Sequence, residues 1–279
     1  MEFLMTPYNL MKENGKAAYL DSGTWASAAI KEAKFFGETI IVASSKNENY
    51  NHVPKGYSIP ADADYFHCTS NNTIFGTQMK EFPTLDIPMV CDMSSDIFSR
   101  NIDFSKFGII YAGAQKNMGP AGTALVVVKE EILGKNGRTI PSMLDYAKHI
   151  KAESMYNTPP VFPVYASLLT LQWLKNLGGI PAIEKINNAK ADLLYTEIDR
   201  NPLFKGTAVV EDRSTMNATF LLDTPLHTDT FNAMLKEAGV VGLPGHRSVG
   251  GYRASIYNAM PLESVQVLVD VMKDLENRV

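Results

Sequence analysis

Five short apolar runs constrain the fold of this chain more than any other feature: TIIVAS (39–44), DYFHCTS (64–70), PMVCDMSS (88–95), FGIIYAG (107–113) and TALVVVK (123–129). A strand with one wet face alternates apolar and polar residues. Several of these runs instead stay apolar at successive positions, the pattern of strands buried on both faces of a parallel or mixed sheet covered by helices. Helical spacing appears in TWASAAIKEAKFFG (24–37) and in VYASLLTLQWLKNLGG (164–179), which stops at a glycine pair. A long helix is expected over 183–201. MNATFLLD (216–223), a helix over 228–239, YRASIYNAM (252–260) and a closing helix over 262–278 then form a separate, smaller group. The reading is an α/β fold: a mostly parallel sheet with helices on both faces over residues 1–177, plus a smaller α+β C-terminal domain over 178–279.

Composition removes whole classes of function. Hydrophobic residues make up 45% of the 279 and charged residues 20%, which is enough for a packed core and argues against disorder. With a formal net charge of −4 and no dense lysine or arginine cluster, nucleic acid and anionic membrane surfaces are poor partners. No apolar run reaches the roughly 18 residues of a membrane span. The opening MEFLMTPYNL has no basic leader followed by a cleavage pattern, so the expected location is the cytoplasm. Cys68 and Cys91 sit in strand-like runs without a CxxC partner and read as buried, reduced thiols. His52, His67, His149 and His227 show no metal-ligand spacing, and no metal site is expected.

The chemistry concentrates around one lysine. In IIYAGAQKNMGPAGTALVVV (109–128), Lys116 follows a strand end and precedes a glycine-rich turn. A partly desolvated lysine at the mouth of a sheet loses its proton more easily and can act as an amine nucleophile that holds an aldehyde cofactor. Taken alone it is equally a surface lysine in a turn. Asp92 ends the preceding strand, where a carboxylate can hold a protonated pyridine nitrogen or simply cap a turn. Trp25, beside Ser22 and Thr24, offers an indole for stacking or for ordinary burial. Thr73, in SNNTIFG, offers a hydroxyl to a ring oxygen or to its own turn. In GHRSVGGYR, Arg247 and Arg253 flank a glycine-rich segment. The planar guanidinium fork matches carboxylate and phosphate oxygens, although a solvated turn explains the same residues. His246 alone is an ordinary hydrogen-bonding histidine.

DMSSDIFSR, FGIIYAGAQKNMGPAG, PSMLDY, SMYNTPP and GHRSVGGYRASIYNAMP together resemble the phosphoserine aminotransferases, pyridoxal-phosphate enzymes of fold type I and class V. The resemblance runs nearly end to end. It implies that 1–177 is the pyridoxal-phosphate-binding large domain and that Lys116 forms the Schiff base and then shuttles a proton. Gln115 would bind the cofactor phosphate, Asp92 the pyridine nitrogen, Trp25 the ring face and Thr73 the phenolic oxygen. Asn157 and Thr158 would reach the phosphate bound by the other subunit of a homodimer. His246, Arg247 and Arg253 would serve the substrate's carboxylate and phosphate. The implied reaction is transamination between O-phospho-L-serine and 2-oxoglutarate, giving 3-phosphohydroxypyruvate and L-glutamate, in serine biosynthesis and also in pyridoxine biosynthesis.

One departure accompanies the resemblance. Family members carry a further segment before MEFLMTPYNL, with a glycine-rich turn for the cofactor phosphate. The chain therefore reads as N-terminally truncated, and activity of this chain alone is open. Two rival readings stand beside the main one: another class V transaminase or a cysteine desulfurase, and a folded module without turnover. The arginine pair favours a phosphorylated substrate, and no cysteine lies late in the chain to support desulfuration.

Overall fold

The computed structural model describes residues 1–246 and 249–279. Helix α1 (Glu2–Leu10) leads into β1 (Lys16–Asp21), α2 (Thr24–Ala33) and β2 (Glu38–Ser44). Next come β3 (Phe66–Thr69), a short hairpin of β4 (Asn71–Asn72) and β5 (Thr77–Gln78), then β6 (Met89–Asp92), β7 (Ile109–Gly113) and β8 (Ala124–Val128). Helices α3 (Tyr146–Lys151), α4 (Val161–Asn176) and α5 (Gly179–Arg200) follow. The chain ends with β9 (Phe204–Gly206), β10 (Asn217–Leu222), α6 (Thr228–Glu237), β11 (Tyr252–Ser255) and α7 (Leu262–Arg278).

The main sheet has the order β2-β1-β3-β6-β7-β8. Its first five strands pair in parallel and β8 turns back antiparallel on β7. The five apolar runs fall on β2, β3, β6, β7 and β8. β3 and β6 are buried at every position, as strands covered on both faces are, while the edge strands β2 and β8 are not. The remaining strand, β1, was not foreseen. Its sequence KAAYLD has little intrinsic strand preference, yet it lies between β2 and β3 and is buried from Ala17 to Asp21. Neighbours on both sides, rather than local propensity, make it a strand.

Met5 and Leu10 of α1 and Ala29, Ile30 and Ala33 of α2 cover one face, against Tyr19, Val90 and Ile109. The other face buries Phe66, Cys68, Cys91 and Ile110 against Val53, Phe82, Ile97 and Phe107 of the connecting segments. Both cysteines are buried free thiols. Helix α2 stops at Ala33, short of the expected 37, because the chain must pass close to β1: a methyl on Gly37 would lie 2.4 Å from the Gly15 carbonyl oxygen.

A second, antiparallel sheet, β11-β10-β9, has its own core, in which Leu194 and Ile198 of α5 meet Phe220, Phe231, Leu268 and Met272. Buried residues of α7 recur at three- and four-residue spacing, from Val265 through Leu268, Met272 and Leu275. Among the described residues, no helix is long and apolar enough to cross a membrane.

Candidate functional site

Strand order reverses direction between β1 and β3, and open α/β sheets bind ligands outside the strand carboxyl ends at such a point. Here β3 ends at Thr69, β6 at Asp92 and β7 at Gly113, and all three residues line one cavity of about 670 Å³. Trp25, Thr73, Gln115, Lys116 and Asn157 line it too.

Local packing aims Lys116 inward. Its turn closes with Met118 N–H and Gly119 N–H both donating to the Ala114 carbonyl, at 3.1 and 2.8 Å. Ala114, Asn117 and Met118 are buried and anchor the loop, which leaves Lys116 facing the cavity. Its Nζ donates to Thr73 Oγ1 at 2.9 Å, across to the β4–β5 hairpin. Burial pushes the Lys116 amine below the usual lysine range; Asp92 pulls it back up, and the charge of Arg253 adds to the lowering. Asp92, only 6% exposed, stands in register between Thr69 and Tyr111. Its Oδ1 accepts from Ser94 N–H at 2.9 Å. Burial raises its carboxyl above the usual range, opposed by the bonds to Ser94 and the charge of Lys116.

The other expected residues divide. Trp25, in the first turn of α2, is half exposed to the cavity. Gln115 lies folded back over Gly113, where an added methyl would meet its Oε1 at 2.6 Å. Asn157 is exposed at the cavity wall and its Nδ2 donates to the Thr158 carbonyl at 3.2 Å; Thr158 is exposed and is not among the lining residues. His246 is exposed in the turn before β11, while Arg253, on β11, is half buried, with its Nε unpartnered among the described residues. Neither is part of the cavity wall, although Arg253 lies near enough to act on the charge of Lys116. Arg247 lies outside the described residues.

Sequence reasoning missed the floor of the cavity. Thr69 Oγ1 is buried without a partner beside Asp92. Beneath it His67 stacks on Tyr19, with ring centroids 5.1 Å apart, and its Nε2 bonds the Tyr111 hydroxyl at 2.8 Å. The position of Thr69 at a strand end was the available signal. His67 Nδ1 is buried without a partner, and burial pushes the imidazole down to about 3. The folded protein thus keeps His67 neutral where the unfolded chain takes up a proton, so stability falls as pH drops below the unfolded value near 6.5. This histidine alone should cost about 2 kcal/mol between pH 7 and pH 5. His67→Gln should remove that share of the difference, measured by urea unfolding at both pH values; an equal pH effect in both proteins would overturn the assignment.

A sheet that gathers a depressed lysine and a buried aspartate at its carboxyl ends defines a class. The chain belongs to the class-V aminotransferase family, whose model matches residues 3–268. It is 82% identical over 277 residues to the phosphoserine aminotransferase of Flavobacterium johnsoniae, covering 99% of this chain and 78% of that one. A solved phosphoserine aminotransferase studied for radiation damage of its Schiff base superposes with a TM-score of 0.96 at 45% identity, over 100% of this chain and 78% of the other. The PLP-bound phosphoserine aminotransferase of Trichomonas vaginalis gives a TM-score of 0.91 at 35% identity, over 98% and 79%.

Proposed function

We propose that this chain catalyses pyridoxal-phosphate-dependent transamination between O-phospho-L-serine and 2-oxoglutarate, giving 3-phosphohydroxypyruvate and L-glutamate, as a cytoplasmic homodimer. The observation that carries the reading is the pairing of Lys116 and Asp92 across one cavity at the strand ends. The donor set fits the cofactor. Lys116 is the amine that would hold its aldehyde, Asp92 the carboxyl for its ring nitrogen, Thr73 the hydroxyl for its phenolic oxygen and Trp25 the flat surface against its ring. Thr69 Oγ1 is a further buried donor with nothing yet to bond. Gln115, Asn157 and Thr158 are assigned to the phosphate. When bound, pyridoxal phosphate supplies the electron sink that makes the substrate's alpha proton acidic.

The protein's own tasks follow from position. Lys116, with its amine shifted towards the neutral form, is the group that would take up the proton leaving the substrate's alpha carbon and give it back once the cofactor is bound. Asp92, held by Ser94, would keep the ring nitrogen protonated when the cofactor is bound. Arg253, with His246 and Arg247, is assigned to the substrate's anionic groups. Coupled assay of glutamate formed from O-phospho-L-serine and 2-oxoglutarate tests the reading. Activity should be strong with the phosphorylated amino acid and at least about 10²-fold weaker with L-serine, since each charge-assisted bond contributes about 1.5–3 kcal/mol. Equal rates with the two, or a preference for alanine and glyoxylate, would refute it.

The homodimer is supported by an apolar face along α4, where Val161 and Phe162 are each 72% exposed and Tyr165, Leu168 and Leu169 continue the patch beside the 155–160 segment. Such a contiguous surface is unusual on a monomer. Light scattering should give twice the chain mass of 30.8 kDa. Phe162→Glu combined with Leu169→Glu should return it to one chain and, if Asn157 serves a neighbouring site, remove activity as well. A wild-type protein of single-chain mass at micromolar concentration would overturn this part.

A further inference from the structure

A buried group of asparagines joins the lysine turn to the second sheet. Beyond β6 the chain turns sharply at Phe98, whose φ of 58° is left-handed. Three successive carbonyls of that turn each receive a side-chain amide from a different part of the chain. Asn117 Nδ2 donates to Ile97 O at 3.0 Å, Asn258 Nδ2 to Phe98 O at 2.9 Å, and Asn187 Nδ2 to Ser99 O at 3.0 Å. The asparagines also bond one another. Asn117 Oδ1 accepts from the Asn258 backbone N–H at 3.0 Å, and Asn258 Oδ1 from Asn187 Nδ2 at 2.9 Å. Their exposures are 4%, 3% and 1%. One turn along α5 from Asn187, the fully buried Lys190 donates to the carbonyls of Ile256 and Tyr257, at 3.0 and 2.8 Å.

The ends of this network are what give it meaning. Asn117 directly follows Lys116, and Asn258 lies just past the end of β11, which carries Arg253. Other bonds tie the β4–β5 hairpin to the second sheet on the β10 side, Asn71 to Asn217 and Thr219 to the Phe75 carbonyl. Asn217 also reaches Ser255 at the end of β11, at 3.2 Å, but the asparagine group ties the chain just past β11 to the lysine turn itself, through Asn258 and Asn117. Neutral buried hydrogen bonds add little net stability over an apolar core of the same shape, but they admit few alternative arrangements. A substrate seated at Lys116 meets Arg253 with its anionic groups only where the guanidinium stands at the matching place, so the offset between the two residues sets how tightly the substrate is held.

We infer that Asn117, Asn187 and Asn258 form the joint that sets Arg253 relative to Lys116, with Asn258 the positioning residue for Arg253. The inference rests on Arg253 binding the substrate's anionic groups, as proposed above. Asn258 touches neither substrate nor cofactor; it acts through β11.

A double-mutant cycle tests it on the full chain loaded with pyridoxal phosphate. The probe is 3-phosphoglycerate, which carries a carboxylate and a phosphate but neither amine nor ketone and so binds without reacting. Its dissociation constant is read by calorimetry for the wild type, Asn258→Ala, Arg253→Ala and the double variant, alongside KM and kcat for O-phospho-L-serine. Asn258→Ala should weaken 3-phosphoglycerate and raise KM by about tenfold, with kcat changed by less than about threefold and the bound-cofactor absorbance unchanged. In the Arg253→Ala background the same change should add less than about twofold, because the group it positions is gone. A full tenfold effect in that background, or unchanged binding in Asn258→Ala, would overturn the joint while leaving the proposed function standing. Unchanged binding in Arg253→Ala would instead remove Arg253 from the substrate site, and the inference with it. Should Asn258→Ala fail to fold, Asn187→Ser enters the same cycle with the same expectations, since it breaks the bonds to Asn258 and Ser99 together.

Discussion

Replacing Lys116 with alanine is expected to lower kcat by at least about 10³-fold while leaving the fold intact, since a positioned proton carrier alone is worth about 10²–10⁴. The fold should survive because, among the described residues, the Lys116 side chain hydrogen-bonds Thr73 alone, and the turn is held instead by Ala114, Asn117 and Met118. Lys116→Arg separates two explanations of the loss. It keeps a cation in place, but arginine is not deprotonated in proteins and so can neither attack an aldehyde nor accept the proton. If Lys116 served only as a fixed charge, arginine would preserve most of the rate; as a nucleophile and base, it should be lost as completely as with alanine. Borohydride reduction in the presence of pyridoxal phosphate, followed by peptide mapping, reads the same assignment without turnover. The label should fall on Lys116. A label on Lys129 or Lys135, or a kcat within tenfold of wild type in Lys116→Ala, would sink it.

Why Lys116 was legible in the sequence, and its surroundings were not, has a physical basis. β3, β6 and β7 announce themselves because strands buried on both faces are mostly apolar, so a charged residue at or just past the end of such a run stands out. Asp92 and Lys116 stand out that way, and Thr73 by the polar residues of its turn. β1 carries no such mark, because its alanines are compatible with helix, strand or loop until β2 and β3 close around them. The place of Thr69 beside Asp92 follows from the register of β3 on β6, a property of two segments that no local pattern contains. The asparagine joint is hidden more deeply. Asn117 reads as part of a turn, Asn187 as one polar residue on a helix, and Asn258 as a turn after a strand. Only the crossing of α5, the lysine loop and the end of β11 brings their amides to three consecutive carbonyls. The resemblance grouped His246, Arg247 and Arg253 on one segment. In the fold His246 is exposed, while Arg253 sits half buried on a paired strand.

Asp92→Asn is expected to retain most cofactor binding and lose about 10²–10³ in kcat, the loss typical when a preorganised electrostatic partner is removed from a buried site. Asparagine has nearly the same shape as aspartate and can still accept the 2.9 Å bond from Ser94 N–H, so the strand end should stay in place. What it lacks is charge. The balance at Asp92 makes that charge conditional: burial and the nearby Asp96 favour the neutral carboxyl, while Ser94 and Lys116 favour the carboxylate. A protonated ring nitrogen brought against this group would tip it to the carboxylate, and the carboxylate would in turn keep the nitrogen protonated and the ring electron-poor. An amide cannot enter that exchange, so the variant should bind the ring without activating it. Asp96 gives an internal contrast. It is fully buried and already engaged by Ser70, Gln78 and Arg100, so Asp96→Asn should cost stability rather than turnover. Cofactor titration by absorbance, single-turnover rates with O-phospho-L-serine and melting temperatures on both variants separate the two outcomes. Near-normal turnover in Asp92→Asn, or a larger loss of turnover in Asp96→Asn than in Asp92→Asn, would take the ring-nitrogen role away from Asp92.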